Sequence, residues 1–305
     1  MNLLLAVDKT VGCTSHDVVA RCRRALGERR VGHAGTLDPL ASGVMLIGVG
    51  QATRLLGMLT LETKSYLADI AFGVETNTDD AEGEAVACVP ASSELSDADF
   101  ARTTLAGIVG KQMQVPPAFS AISVNGVRAY KSARAGEAVE LPPRPVEVFA
   151  ADLIAISGSA DAPVWTVAFT VSKGTYIRAL ARDLGRAVSG AAHIGALRRT
   201  SSGCVSIGSC LAIDDVSPEL AHARALDPVA TLGVPGVRVA SRFTEDILCG
   251  RRLSSDVLDG ASRPVAEGDT VALVIGSELR ALARLERGML IMSDVFPQGI
   301  EGVRL

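Results

Sequence analysis

The residues best able to do chemistry are gathered in one stretch, Arg30-Val31-Gly32-His33-Ala34-Gly35-Thr36-Leu37-Asp38-Pro39-Leu40-Ala41-Ser42-Gly43-Val44. A histidine, a threonine and one carboxylate lie among glycines, and the stretch then opens into the apolar run Val44-Met45-Leu46-Ile47. Pro39 biases Asp38 away from helical dihedrals. Gly32, Gly35 and Gly43 permit tight backbone geometry on either side. The expected result is a carboxylate fixed on a stiff loop. On Asp38 and Pro39 alone a plainer reading is stronger, with Asp38 capping a helix whose first residue is Pro39. A hydrolase built on His33 and Asp38 lacks a third partner.

Two other stretches carry reactive or cationic groups. Glu62 to Gly73 alternates as a strand and includes Tyr66, which by default is a half-buried core tyrosine with its hydroxyl on solvent. Further along, Ser172-Lys173-Gly174-Thr175-Tyr176-Ile177-Arg178 leads into a helix with the apolar stripe Ile177, Leu180, Ala181, Leu184 and Val188. Arg178, Arg182 and Arg186 follow at four-residue steps on a different face. An arginine in the first turn opposes the helix dipole, so Arg178 calls for a carboxylate partner. Arg182 and Arg186 read as surface residues of a solvated helix.

The string Gly32 to Val44 closely resembles the signature loop of the tRNA pseudouridine synthases of the TruB family, without a gap. Further motifs carry the same resemblance: Asp8 to Ser15, Lys64-Ser65-Tyr66, Thr76 to Gly83, Gln112 to Tyr130, Ser172 to Arg178, and His193 to Thr200. It covers roughly residues 3 to 207, and residues 236 to 305 more weakly. Three positions depart from the family's pattern. Thr10 stands for a proline, which loosens a turn; Phe119 stands for tyrosine; and Ser123 stands for a lysine whose phosphate contact Arg128 or Lys131 would replace.

The resemblance implies an isomerase that breaks the N1–C1′ bond of a uridine, turns the uracil and joins C5 to C1′. Asp38 would be the catalytic carboxylate, attacking covalently or removing a sugar proton. Arg178 would pair with Asp38 and keep it ionised. Tyr66 would stack on the extruded base, which an aromatic face accepts at modest cost. His33, Tyr176, Leu197, Lys64 and Lys173 would line the pocket or hold the RNA, and Asp80 would have at most a supporting role. The implied substrate is the T-arm of tRNA, at the uridine of position 55. No cofactor, metal, obligate protein partner or membrane is expected, and the chain is expected to act as a cytoplasmic monomer. Two alternatives stay open. One is an RNA-binding or tRNA-folding protein with dispensable catalysis. The other is a guide-dependent synthase of the dyskerin type acting on ribosomal RNA, although the long basic extensions typical of that type are not visible.

These groups must be positioned by the surrounding elements. Met1 to Asp8 reads as a first strand, and Ser15 as the N-cap of a helix to about Leu26. Strands are expected at Val44–Val49 and Val164–Val171, and a helix from Asp97 to Gly107. Gly48 to Thr53 resembles a dinucleotide fingerprint but fails at Thr53, and no regular βαβ series follows. From about Pro235 the texture changes to a short helix from Thr244 and three strands at Thr270–Ile275, Leu279–Glu286 and Met289–Val295.

With 305 residues, a prior of about 150 per domain suggests two domains. The resemblance implies an α+β fold: a catalytic domain over residues 1–235 around a mixed, largely antiparallel sheet, with an RNA-clasping insertion at about 119–145. Residues 236–305 would form a small β-rich, PUA-like RNA-binding domain. No transmembrane or signal segment is expected, and the six cysteines read as reduced, mostly buried thiols. A net charge of −4 argues against a generally sticky nucleic-acid binder. Positive charge is nevertheless concentrated locally, with Arg21, Arg23, Arg24, Arg29 and Arg30 set against Glu28 alone, so one face could hold RNA.

Overall fold

A computed structural model of the chain describes residues 1–60, 62–120, 123–124, 127–128 and 141–305. They form two compact units, one built from Met1–Asp38, Gly43–Leu61 and Ser202–Leu305, the other from Pro39–Ser42 and Glu62–Ser201.

The first unit starts with the buried strand Leu3–Lys9, antiparallel to Ala41–Val49 in a register that sets Leu5 opposite Ile47. Val31–Ala34 also runs antiparallel to Ala41–Val49, while Leu211–Ala212 runs parallel to Leu3–Lys9, which makes the sheet mixed. Between the first two strands in sequence lies the helix Ser15–Leu26. Its cap is Thr14, whose hydroxyl accepts from Asp17 N while the Asp17 carboxylate accepts from Thr14 N. That reciprocal pair satisfies two orphan donors at once, which explains why the cap falls one residue before Ser15. Gly27, at φ +63°, ends the helix, and Val18, Val19, Cys22 and Leu26 form its buried side. The turn that Thr10 was expected to loosen is closed by Cys13 Sγ, 3.2 Å from Thr10 O.

The C-terminal part of this unit is a five-stranded sheet in the order Gly236–Arg238, Thr270–Ile275, Glu278–Glu286, Met289–Ile300, Leu253–Ser254. Its strands read as near-continuous apolar runs because both faces are covered. On one face Val271, Leu273, Ala281 and Ala283 pack with Val237, Ile247 and Leu290. On the other, Ala272, Val274, Leu282 and Phe296 share a core with Leu4, Ala6, Val44 and Leu46.

In the second unit, the strand Ala192–Ser202 adjoins Lys64–Phe72, which pairs antiparallel with Ala162–Val171. Ala162–Val171 is antiparallel to Arg144–Ser159, and that strand to Gly110–Gln114. Trp165, Val167, Phe169 and Val171 alternate into the core, and Trp165 Nε1 donates to Leu95 O at 2.7 Å. The helix Ala98–Ala106 is capped by Asp97, and the helix Ile177–Ala187 carries the arginine series.

The insertion expected at about 119–145 falls largely on residues 121–140. There only the backbone pairing of Ser123–Val124 with Val127–Arg128 is described, so the expected roles of Ser123, Arg128 and Lys131 lie outside the described residues. The cysteines correct one expectation: all are free thiols, but only Cys13 and Cys22 are buried, while Cys88, Cys204 and Cys249 are exposed. Among the described residues, no helix is long and apolar enough to cross a membrane.

Candidate active site

In the first unit the signature loop leaves the strand Val31–Ala34 through Gly35 at φ +78°, a conformation open to glycine at little steric cost. Leu37 is buried and Asp38 half-buried. No helix follows Asp38; a turn at Pro39 and Leu40 leads into the strand Ala41–Val49, so Asp38 is not a helix N-cap. The loop is clamped by Ser15, a buried residue at the start of the first helix. Its Oγ accepts from Leu37 N at 2.9 Å and donates to Leu37 O at 3.0 Å. His33, half-buried, meets His16 edge-on with ring centroids 5.9 Å apart.

In the second unit, Lys64 and Tyr66 share the buried face of the strand Lys64–Phe72. Tyr66 lies opposite Phe169 and Lys64 opposite Val171. A lysine on a core face is held at a price in ionisation: burial, followed by the nearby Arg199 charge, pushes the Lys64 amine down to about 8. Its Nζ donates to Glu62 O at 2.8 Å. Leu197 is buried on the strand Ala192–Ser202, next to Arg198, whose Nη1 donates to Ser42 Oγ at 3.1 Å. Lys173 is exposed in the turn before the arginine-bearing helix.

The start of that helix is held by Gln114, a buried side chain that treats Tyr176 as a strand neighbour would. Gln114 Oε1 accepts from Tyr176 N at 2.9 Å, and Nε2 donates to Tyr176 O at 3.1 Å. This satisfies the backbone N–H of Tyr176, the half-buried N-cap residue, which makes no capping bond with its own side chain. Arg178 follows, buried, with Nη1 3.4 Å from Asp80 Oδ2 and donating to Thr78 O at 2.8 Å. Its Nη2 donates to Phe119 O at 3.0 Å.

One turn later the structure corrects the reading of Arg182 as a surface residue. It is buried, with Nη1 3.0 Å from Asp79 Oδ2, Nη2 donating to Val115 O and Nε to Asp183 Oδ1. Burial pushes the Asp79 carboxyl up to about 6, against the opposing pull of Arg182 and Arg178. Arg186 is exposed as expected, although it clasps Glu75 with two donors.

The structure therefore gathers Lys64, Tyr66, Tyr176, Arg178, Leu197 and Lys173 in the second unit, while His33 and Asp38 belong to the first. Reasoning from sequence missed Ser15, Gln114, Asp79 and Arg182 as site-building residues. Ser15, Asp79 and Gln114 carried a usable signal, since each lies within a motif already singled out, whereas Arg182 lies outside them all. Among the described residues, no group of three or more His, Cys, Asp or Glu side chains could hold a metal ion.

This mixed sheet with a β-rich C-terminal part is the fold of the pseudouridine synthases. The chain superposes on the archaeal box H/ACA Nop10–Cbf5 complex with a TM-score of 0.67, covering 96% of this chain and 85% of that one at 23% identity. For an H/ACA RNP bound to a substrate RNA containing 2′-deoxyuridine, the TM-score is 0.69, with 96% and 84% covered at 22% identity. At these identities the likeness is one of fold. Closer kinship is found in sequence. The family described as TruB family pseudouridylate synthase (N terminal domain) matches residues 23–177. The chain is 44% identical over 272 residues to tRNA pseudouridine synthase B of Nocardia farcinica, covering 89% of this chain and 88% of the relative. For the protein of the same name in Mycobacteroides abscessus, identity is 42% over 276 residues, covering 90% and 92%. The chain belongs to the TruB family of pseudouridine synthases, and is an isomerase as its signature loop implied. These relatives favour the TruB reading over the dyskerin type.

Proposed function

We propose that the protein converts the T-loop uridine at position 55 of tRNA to pseudouridine, acting as a monomer in the cytoplasm. The observation that carries the substrate is the 42–44% identity to tRNA pseudouridine synthase B along about nine tenths of both chains. Asp38 is the catalytic carboxylate, held on a loop that Ser15 clamps through Leu37. Tyr66 stacks on the extruded uracil, and Arg178 is the counter-cation of the reacting carboxylate. A buried guanidinium favours the ionised form of a carboxylate beside it. His33, Lys64, Lys173, Tyr176 and Leu197 hold the RNA and close around the base. Extruding a stacked base costs a few kcal/mol, which stacking and phosphate contacts offset. Residues 236–305 act as a PUA-like RNA-binding part, and the segment at about 119–145 clasps the RNA.

The test uses an unmodified tRNA transcript carrying tritium at uracil C5. Forming the C5–C1′ bond expels the C5 hydrogen, so release to water reports turnover. The wild type should release tritium from the T-loop uridine, and Asp38→Asn should bind the transcript without releasing any. Binding without release by the wild type would leave an RNA-binding or RNA-folding protein.

A further inference from the structure

Two consecutive acids of one turn, Asp79 and Asp80, face two arginines one helical turn apart, Arg182 and Arg178. Asp79 sits at φ +60°, outside ordinary L-residue backbone. The turn is sewn to the neighbouring strand, since Ile194 N donates to Asp79 O and Ala81 N to Ile194 O. The Asp80 carboxylate is further fixed by the Thr78 hydroxyl, which donates to Oδ1 at 2.6 Å. The acids are therefore held by backbone, whereas each arginine reaches them on a long, rotatable stem. Charge also faces Asp79 from Glu75 and Arg186, but the Arg186 side chain is 59% exposed and occupied by Glu75.

We propose that Arg182 is a positioning residue for Arg178: by occupying Asp79 it leaves Arg178 one acidic partner in the turn, and so fixes where its guanidinium stands. The proposed function gives neither Arg182 nor Asp79 a part in the reaction itself. Without Arg182, the buried Asp79 carboxylate has Arg178 as the nearest remaining buried cation in this cluster. Arg178 is then divided between two adjacent acids and drawn from its bonds to Thr78 O and Phe119 O. A guanidinium fork makes directional bonds, so a small displacement breaks them. This proposal rests on the reading of Arg178 as the counter-cation of the reacting carboxylate.

A role in folding alone and a role in positioning differ in one respect. If Arg182 only pins Val115, neutralising Asp79 cannot repair its loss. If Arg182 keeps Asp79 away from Arg178, removing the Asp79 charge removes the competitor. Tritium release from the C5-labelled tRNA transcript is measured for wild type, Arg182→Met, Arg182→Lys and the double variant Asp79→Asn/Arg182→Met, with thermal melts alongside. Arg182→Met should lower kcat by about tenfold or more with KM changed by less than about threefold. The double variant should recover most of that loss, a strongly non-additive coupling. Arg182→Lys keeps the charge and gives up the fork to Val115, and it should stay much faster than Arg182→Met; should Arg182→Met not fold, the double variant should still approach wild type, and a folded double variant about tenfold slower than wild type overturns the proposal. A double variant no faster than Arg182→Met, or Arg182→Lys as slow as Arg182→Met, overturns the proposal. A wild type that releases nothing overturns the synthase reading beneath it.

Discussion

The Ser15 hydroxyl bonds both backbone polar groups of Leu37, accepting from its N–H and donating to its carbonyl. One side chain thereby stands in for a strand partner at the residue before Asp38. The helix Ser15–Leu26 is itself capped and closed at both ends, so this clamp ties the signature loop to a rigid element.

Ser15→Ala leaves a buried N–H and a buried carbonyl without this partner, a loss of about 2 kcal/mol in stability. Because the neighbouring carboxylate then loses its fixed geometry, kcat for tritium release should fall about tenfold while KM changes little. Urea denaturation and steady-state kinetics on the same preparation check both. Unchanged kcat in a destabilised variant would confine Ser15 to folding.

Gln114→Ala removes the group that bonds the backbone of Tyr176 where the arginine-bearing helix starts. The expected loss is about 1 kcal/mol. Amide exchange should accelerate at Tyr176 and in the first turn of the helix, including Arg178, while the last turn keeps its protection. Uniform acceleration along the helix would show that Gln114 is not what holds its start.

Lys64 yields a prediction in pH. Its amine falls from the ordinary 10.5 to about 8 in the folded protein. Between those values the unfolded chain binds the proton that the folded chain has released, so stability rises with pH through this window. Below about 8 both states are protonated, and the burial penalty is present in full. Lys64→Met lacks the titration. The stability of wild type relative to Lys64→Met should therefore climb as pH rises from 8 towards 10.5, and be flat between 6 and 7.5. Urea midpoints of the two proteins across that range give the difference directly, and a flat difference throughout would contradict it.

The signature loop was readable because its motif is local: Asp38, Pro39 and the glycines lie within one short string, and both loop geometry and family follow from it. Strands with strict alternation, such as Ala162–Val171, and the apolar runs of the C-terminal sheet were equally legible. Arg144–Ser159 was not, because its outer half is largely exposed and register shifts break its alternation. Arg182 was misread for a different reason. Its acidic partner lies 103 residues away in sequence, and helical spacing shows which face a residue is on without showing what covers that face. Serine suits a cap, but Thr14 with Asp17 offers two bonds there, leaving Ser15 to serve the loop.

The C-terminal sheet shares one face with the first strands of the chain, Leu4 and Ala6 meeting Ala272, Leu282 and Phe296 in one core. During synthesis, that core cannot close until residues near Phe296 have left the ribosome, whereas residues 62–201 emerge complete well before. The loop that carries Asp38 thus springs from strands whose packing is finished last. An unfinished chain can assemble Tyr66 and the Arg178 cluster while Asp38, the proposed catalytic carboxylate, still lacks a settled scaffold, so activity should appear only once residues near Phe296 have emerged.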